Sequence, residues 1–230
     1  VTKQATYTAA GEKVYTCTVC GATKAEVIPM LTHDHNFTWT VISQATVFAP
    51  EKQEGICTIC GAKKTRDNGN KLTATIKLNA TSIKLQKKQS TTKVKVTGLA
   101  NGDSVKSWIS SNKKIVTVDK SGKIKAGKKT GNAKITVTLK SGKKAILKVK
   151  VQSTKVKTTK ITGLKTNFTL KKGKSLTLKP VVAPITSQEK VTYTTSNKKV
   201  ATVTKNGVIK AKKKGTATIT VKSGKVTKKV

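Results

Sequence analysis

Four cysteines carry the most pointed chemistry in the sequence. Cys17 and Cys20 stand in Cys17-Thr18-Val19-Cys20-Gly21, and Cys57 and Cys60 in Cys57-Thr58-Ile59-Cys60-Gly61. Two residues between thiolates let both reach one ion, and the glycine that follows permits a tight turn with backbone N–H groups facing sulfur. Two such tips could close a tetrahedral site. One structural zinc held by Cys17, Cys20, Cys57 and Cys60 is therefore expected, with no other cofactor. Disulfides within or between the pairs are the alternative in an oxidising compartment. A third arrangement recruits His33 or His35 from His33-Asp34-His35, whose imidazoles lie on one side of an extended segment. A thioredoxin-like redox role would need CxxC at a helix N-terminus in a βαβ setting, and the flanks here read as hairpins.

Other reactive constellations are missing from the sequence. Beyond residue 70 the acids are Asp103, Asp119 and Glu189, and no histidine follows His35. Paired carboxylates, Ser-His-Asp arrangements and clustered calcium ligands cannot be assembled from that set. The expectation is a chain that is not an enzyme.

Lysine is what the sequence has in excess. The formal net charge is +39. Residues 1–70 hold seven Lys and Arg against six Asp and Glu, whereas residues 71–230 hold 41 Lys against three acids. Such a field draws polyanions. The clusters at turns offer the mobile ammonium groups: Lys125, Lys128 and Lys129, then Lys171, Lys172 and Lys174, then Lys212, Lys213 and Lys214. Nucleic-acid readers rely on Arg forks and stacking aromatics, and this chain has one arginine, Arg66, and few aromatics. Specific nucleic-acid recognition is not expected. Anionic cell-wall polymers or acidic glycans are. Much of the lysine has a plainer reason: a strand with one dry face must put polar groups on the other, and lysine also deters edge-to-edge pairing.

The elements that must position these residues are strands. Ile76-Lys77-Leu78, Val94-Lys95-Val96, Ile124-Lys125-Ala126, Ile135-Thr136-Val137-Thr138-Leu139 and Leu147-Lys148-Val149-Lys150-Val151 alternate apolar with polar, a period of two. Asn101-Gly102, Ser121-Gly122, Ser141-Gly142, Asn206-Gly207 and Ser223-Gly224 supply turns. No segment keeps a 3.6-residue period, so almost no helix is expected. No run of 18 apolar residues occurs, so no membrane insertion is expected.

The chain also repeats itself. Ser110-Ser111-Asn112-Lys113-Lys114-Ile115-Val116-Thr117-Val118 returns as Thr195-Ser196-Asn197-Lys198-Lys199-Val200-Ala201-Thr202-Val203. A shorter unit, Cys17-Thr18 with Cys20-Gly21-Ala22, returns as Cys57-Thr58 with Cys60-Gly61-Ala62. Trp108 and Tyr193 fall at equivalent places and are expected to pack between sheets. The reading is all-β: a small Cys-rich hairpin module at 1–70, then two tandem β-sandwiches at 71–152 and 153–230. The sequence starts at Val1 inside a repeat, so it is expected to be a piece of a longer protein.

The stretch Ser196 to Ala211 with Gly215 to Val221, and its counterpart Ser111 to Ala126 with Gly131 to Val137, resembles the bacterial immunoglobulin-like domain, group 2. The segment from Tyr15 to Lys24, with Ile28-Pro29 and His33, is similar to short Cys-rich repeats in Gram-positive surface proteins. The resemblance implies Ig-like sandwiches in a secreted or cell-surface bacterial protein, often in tandem as stalks or adhesion modules. The expected function is a non-catalytic stalk or adhesion module with a cationic surface, acting beside neighbouring domains of the same polypeptide. The alternative is a carbohydrate-binding or accessory module of a larger secreted glycanase.

Overall fold

A computed structural model describes residues 2–230. Every regular element among the described residues is a strand. The chain divides into two compact units. One runs to Ala74 and takes in Ala100–Gly102, and the other comprises Thr75–Leu99 and Asp103–Val230. The Cys-rich unit thus extends slightly past the expected 1–70 and borrows a turn from later in the chain. Asn101 is the reason: its Nδ2 donates to the Ala45 carbonyl at 3.0 Å, and its own carbonyl accepts from Val47 N at 3.1 Å.

The Cys-rich unit holds two antiparallel sheets. β1 (Gly11–Thr16) pairs with β2 (Thr23–Ile28). β3 (Phe37–Ser43), β4 (Glu51–Cys57) and β5 (Lys63–Asn68) form a three-stranded meander. Each CxxC is a hairpin tip, as the sequence suggested. The two tips have the same backbone: Cys17 N donates to Ala22 O at 2.8 Å and Gly21 N to Cys17 O at 2.9 Å, and both bonds recur from Cys57 to Ala62 and from Gly61 to Cys57. Gly21 and Gly61 sit at φ of 72° and 74°, which a side chain would strain.

The first sandwich comprises β6 (Lys77–Leu78), β7 (Ser82–Gln86), β8 (Ser90–Thr91), β9 (Val96–Thr97), β10 (Val105–Ser110), β11 (Val116–Val118), β12 (Ile124–Ala126), β13 (Gly131–Leu139) and β14 (Lys144–Gln152). One sheet has the order β10-β13-β14-β7 and the facing sheet β11-β12-β8, with β6 and β9 as a separate ribbon. β14 and β7 run parallel, Lys148 beside Ser82 and Lys150 beside Lys84. The period of two does the sorting. Ile135, Val137, Leu139, Leu147, Val149 and Val151 are buried and the lysines between them are exposed.

The second sandwich comprises β15 (Lys160–Thr162), β16 (Ser175–Thr177), β17 (Val181–Ala183), β18 (Val191–Thr195), β19 (Ala201–Val203), β20 (Val208–Ala211), β21 (Ile219–Ser223) and β22 (Val226–Lys229). Its sheets have the orders β18-β21-β22 and β16-β20-β19, with β15 paired to β17. It repeats the first copy, except that no described strand covers β22 as β7 covers β14. Trp108 and Tyr193 pack against the two aliphatic cores, as expected of equivalent aromatics.

The two sandwiches lock together within their unit. Gln89 Nε2 donates to Thr186 O at 2.8 Å, Thr186 Oγ1 to Lys84 O at 2.6 Å, and Gln188 Nε2 to Gln86 Oε1 at 3.0 Å. Ile185 of the second copy packs against the core of the first.

Candidate metal centre and cationic face

The meander β3–β5 decides where the cysteines go. Phe37 lies opposite Cys57 in the β3–β4 register. The residues just before Phe37 therefore run beside the Cys57–Cys60 tip, and Thr58 N donates to Asn36 O at 3.2 Å. His33 and His35, two apart on an extended segment, face the same way. His33 Nε2 comes to 3.2 Å from Cys57 Sγ, and His35 Nδ1 to 3.5 Å from Cys60 Sγ. One ligand atom from each of the four residues falls within 4.8 Å of all the others.

An aromatic ladder sets the imidazole planes. Tyr7 meets His33 edge-on with ring centroids 4.6 Å apart, and His33 meets His35 in the same way at 4.6 Å. Phe37 stacks on His35 at 5.5 Å. Cys57 is buried. The Cys60 backbone N–H stabilises its thiolate, burial opposes this, and the His33 and His35 side chains lower the thiol further, to about 5. A thiol so tuned stands ready as a thiolate ligand near neutral pH.

The expected four-cysteine set is not what the structure assembles. Cys17 and Cys20 are exposed and lie outside the group. The same tip geometry exists at both hairpins, but β1 and β2 form a two-stranded sheet with no histidine segment beside it. Cys17 Sγ instead accepts Cys20 N at 3.4 Å, and that N–H bond leads the causes holding its thiol below the ordinary value. None of the four cysteines is bonded to another in the structure. The structure groups both histidines with Cys57 and Cys60, where the third of the readings from sequence recruited one histidine.

The lysines group differently from the sequence reading as well. Lys125 is on β12, the middle strand of its sheet, Lys128 and Lys129 follow it in the turn, and all three are exposed. Lys171, Lys172 and Lys174 form the turn before β16, and Lys212, Lys213 and Lys214 the turn after β20. These last two turns meet: Gly173 N donates to Ala211 O at 2.9 Å and Ala211 N to Lys174 O at 3.1 Å.

A denser group, missed from sequence, covers the outer face of the first sandwich. Lys148 on β14 lies directly opposite Lys134 on β13, and Lys150 lies directly beside Lys84 on β7. Lys155 and Lys157, from the segment leading into the second sandwich, rim the same cleft of about 1030 Å³, with Asn132, Ser82 and Ser111 among its polar wall groups. The alternation on β13 and β14 was legible, but the parallel pairing that adds Lys84 spans more than 60 residues of chain. Both ion pairs among the described residues, Lys24–Glu26 and Lys63–Glu54, lie in the Cys-rich unit. The cleft lysines therefore carry no acid partner among the described residues.

Aromatic platforms do not accompany them. Trp108 lies against the Gly122 turn, whose added Cβ would stand 2.9 Å from its ring. Trp39 lies against Gly55 and carries the Arg66 guanidinium 3.9 Å from its ring centroid.

Two tandem Ig-like β-sandwiches behind a Cys-rich β module define the class of protein. The chain belongs to the bacterial Ig-like domain family, group 2, which it matches over residues 73–149 and again over 155–230. It is also 56% identical over 64 residues to the kappa-carrageenase of Pseudoalteromonas carrageenovora, covering 26% of this chain and 16% of that protein's length. Among solved structures it is similar to domains 1–6 of the surface-layer protein SbsC, at 16% identity, 93% of this chain, 30% of that chain and a TM-score of 0.31. It is likewise similar to Drosophila N-cadherin EC1-3, at 9% identity, 78% of this chain, 74% of that chain and a TM-score of 0.38. The fold assignment rests on the family match and the strand topology. The family matched over both sandwiches is an Ig-like domain family rather than a catalytic one, and no helix of the described residues is long and apolar enough to cross a membrane.

Proposed function

We propose that this chain is a non-catalytic accessory module of a larger secreted or cell-surface bacterial protein, and that the outer face of its first sandwich holds an anionic polysaccharide. The observation that carries the reading is the row Lys84, Lys150, Lys148 and Lys134, in which like charges sit directly side by side on neighbouring strands. Such neighbours destabilise a sheet, and a bound polyanion relieves them. The partial kinship to a kappa-carrageenase supports the accessory role and makes a sulfated galactan the natural first probe. No aromatic side chain lines the lysine cleft, which disfavours a neutral sugar platform there. The loop lysines Lys125, Lys128 and Lys129, Lys171, Lys172 and Lys174, and Lys212, Lys213 and Lys214 form a more dispersed cationic surface that adds long-range attraction.

The test is retention on immobilised kappa-carrageenan beside neutral agarose, at low and high salt. A variant with Lys84, Lys134, Lys148 and Lys150 changed to Gln is compared with one in which Lys171, Lys172, Lys212 and Lys213 are changed. Both remove the same charge. The account expects salt-sensitive retention on the sulfated polymer that the first variant loses by tenfold or more and the second largely keeps. Equal loss by both variants would reduce the effect to net charge. Retention on agarose at high salt would replace the reading altogether.

A second role rests on its own observation. The bonds that Gln89 donates to Thr186 and Gln188 donates to Gln86 link the two sandwiches, which suits a stiff spacer between other domains of the polypeptide.

A further inference from the structure

We propose that His33, His35, Cys57 and Cys60 bind one zinc ion, closed on all four sides, that staples the β3–β5 meander. Zinc takes thiolate at about 2.3 Å and imidazole at about 2.0–2.1 Å in a tetrahedron, which separates sulfur from nitrogen by roughly 3.6 Å along an edge. The His33–Cys57 and His35–Cys60 separations are 3.2 and 3.5 Å. The four ligand atoms thus already surround a volume the size of one ion. Two soft thiolates and two imidazoles favour zinc over calcium or magnesium, which take oxygen. Four protein ligands leave no open position for a substrate, so the ion is structural rather than catalytic.

The unit around the site supplies the second argument. Cys57 is the one hydrophobic side chain it buries among the described residues, while Tyr7, Tyr15, Val27, Leu31, Phe48 and Ile56 stay exposed. A sheet with so little interior needs a staple. Binding free energy at such a site is folding free energy, because the unfolded chain does not hold the four ligands together. Tyr7, from the first repeat, sits edge-on to His33, so the ion also fixes the ring that carries this contact.

The stoichiometry follows from the asymmetry of the two hairpins. Cys17 and Cys20 have the tip but not the histidines, so the chain holds one zinc, and Cys17 and Cys20 remain reactive thiols in the loaded protein.

The experiment is metal analysis of the zinc-loaded full chain, with cobalt substitution as a spectroscopic readout of the ligand set. One zinc per chain is expected in the wild type and in the Cys17→Ser/Cys20→Ser double variant. Cys57→Ser/Cys60→Ser abolishes it, and His33→Asn/His35→Asn weakens it a hundredfold or more. The cobalt form of the wild type shows tetrahedral d–d absorption with charge-transfer intensity for two thiolates, a result that needs no variant to fold. Absence of zinc from the wild type overturns the proposal. So does charge-transfer intensity for four thiolates, or loss of the metal in the Cys17→Ser/Cys20→Ser variant, either of which assigns the all-cysteine site instead.

Discussion

The Cys-rich unit and the sandwiches are both sheets built from short strands and tight turns, yet they are held together by different means. Apart from Cys57, every buried hydrophobic side chain among the described residues lies at Ile83 or beyond. In the first sandwich Leu85, Ile124, Ile135, Leu139 and Leu147 are wholly enclosed, each worth about 1.5–3 kcal/mol relative to exposure. The Cys-rich unit has instead a ladder of rings and a knot of sulfur and nitrogen at one hairpin tip. The lesson is that strand pairing alone does not hold a small sheet. It needs an interior or a staple; the sandwiches have the first, and the zinc proposed above would give the Cys-rich unit the second.

The comparison can be broken first at the interior. Leu85→Ala empties a site with no solvent exposure in a core that has little freedom to collapse. It is expected to cost about 3 kcal/mol in the urea unfolding of the sandwiches, while zinc content stays unchanged. A loss below about 1 kcal/mol would mean that aliphatic burial is not what holds this region.

A smaller effect is expected where the turns meet the aromatics. Gly122 and Gly207 occupy equivalent turns at φ of +80° and +78°, and a Cβ on either would stand within 2.9 Å of the Trp108 or Tyr193 ring. Gly122→Ala and Gly207→Ala should each cost about 1–3 kcal/mol, from backbone strain and overpacking together. Matching losses in the two copies would confirm that the repeats use the same device. A loss in one alone would separate them.

The mildest change is one of pH, and it distinguishes the two sandwiches. Asp119 Oδ1 accepts Ser121 Oγ at 2.6 Å, Ser121 N at 2.9 Å and Lys123 N at 3.0 Å. Thr204 fills the same place in the second copy with longer bonds to Asn206 and Val208. Hydrogen bonds from Ser121 and Lys123 hold the Asp119 carboxyl below its ordinary value. A folded pKa below the unfolded value of about 3.9 contributes stability that stands in full above that pH and is lost as pH falls through the folded value. Stability measured downward from pH 5 should therefore fall in the wild type, and the part due to this turn should vanish in Asp119→Thr. An unchanged acid profile in that variant would show that the turn contributes nothing.

How far these regions could be read from sequence differs for physical reasons. The sandwiches were legible because each rule acts locally. Alternation along β13 and β14 fixes which side is buried, and Gly122 and Gly207 mark turns by their backbone freedom. Lys84 was not legible as a partner of Lys150, because that neighbourhood exists only once β7 lies parallel to a strand far along the chain. The histidine–cysteine group was obscured in a related way. The repetition of CxxCG invited a match between the two cysteine pairs, whereas the register of β3 against β4 brings the second pair to His33 and His35. The signal that marks it is the dyad of histidines two residues apart, one strand upstream of a CxxC tip, which the third arrangement from sequence used for one histidine only.

The measurement that tests the whole account most directly is amide hydrogen exchange along the intact chain, with zinc bound and after a strong chelator. The account predicts that chelation removes protection from residues 33–68 and leaves the strands from β7 to β22 as protected as before. Protection unchanged throughout, or lost equally in the sandwiches and the Cys-rich unit, would contradict it.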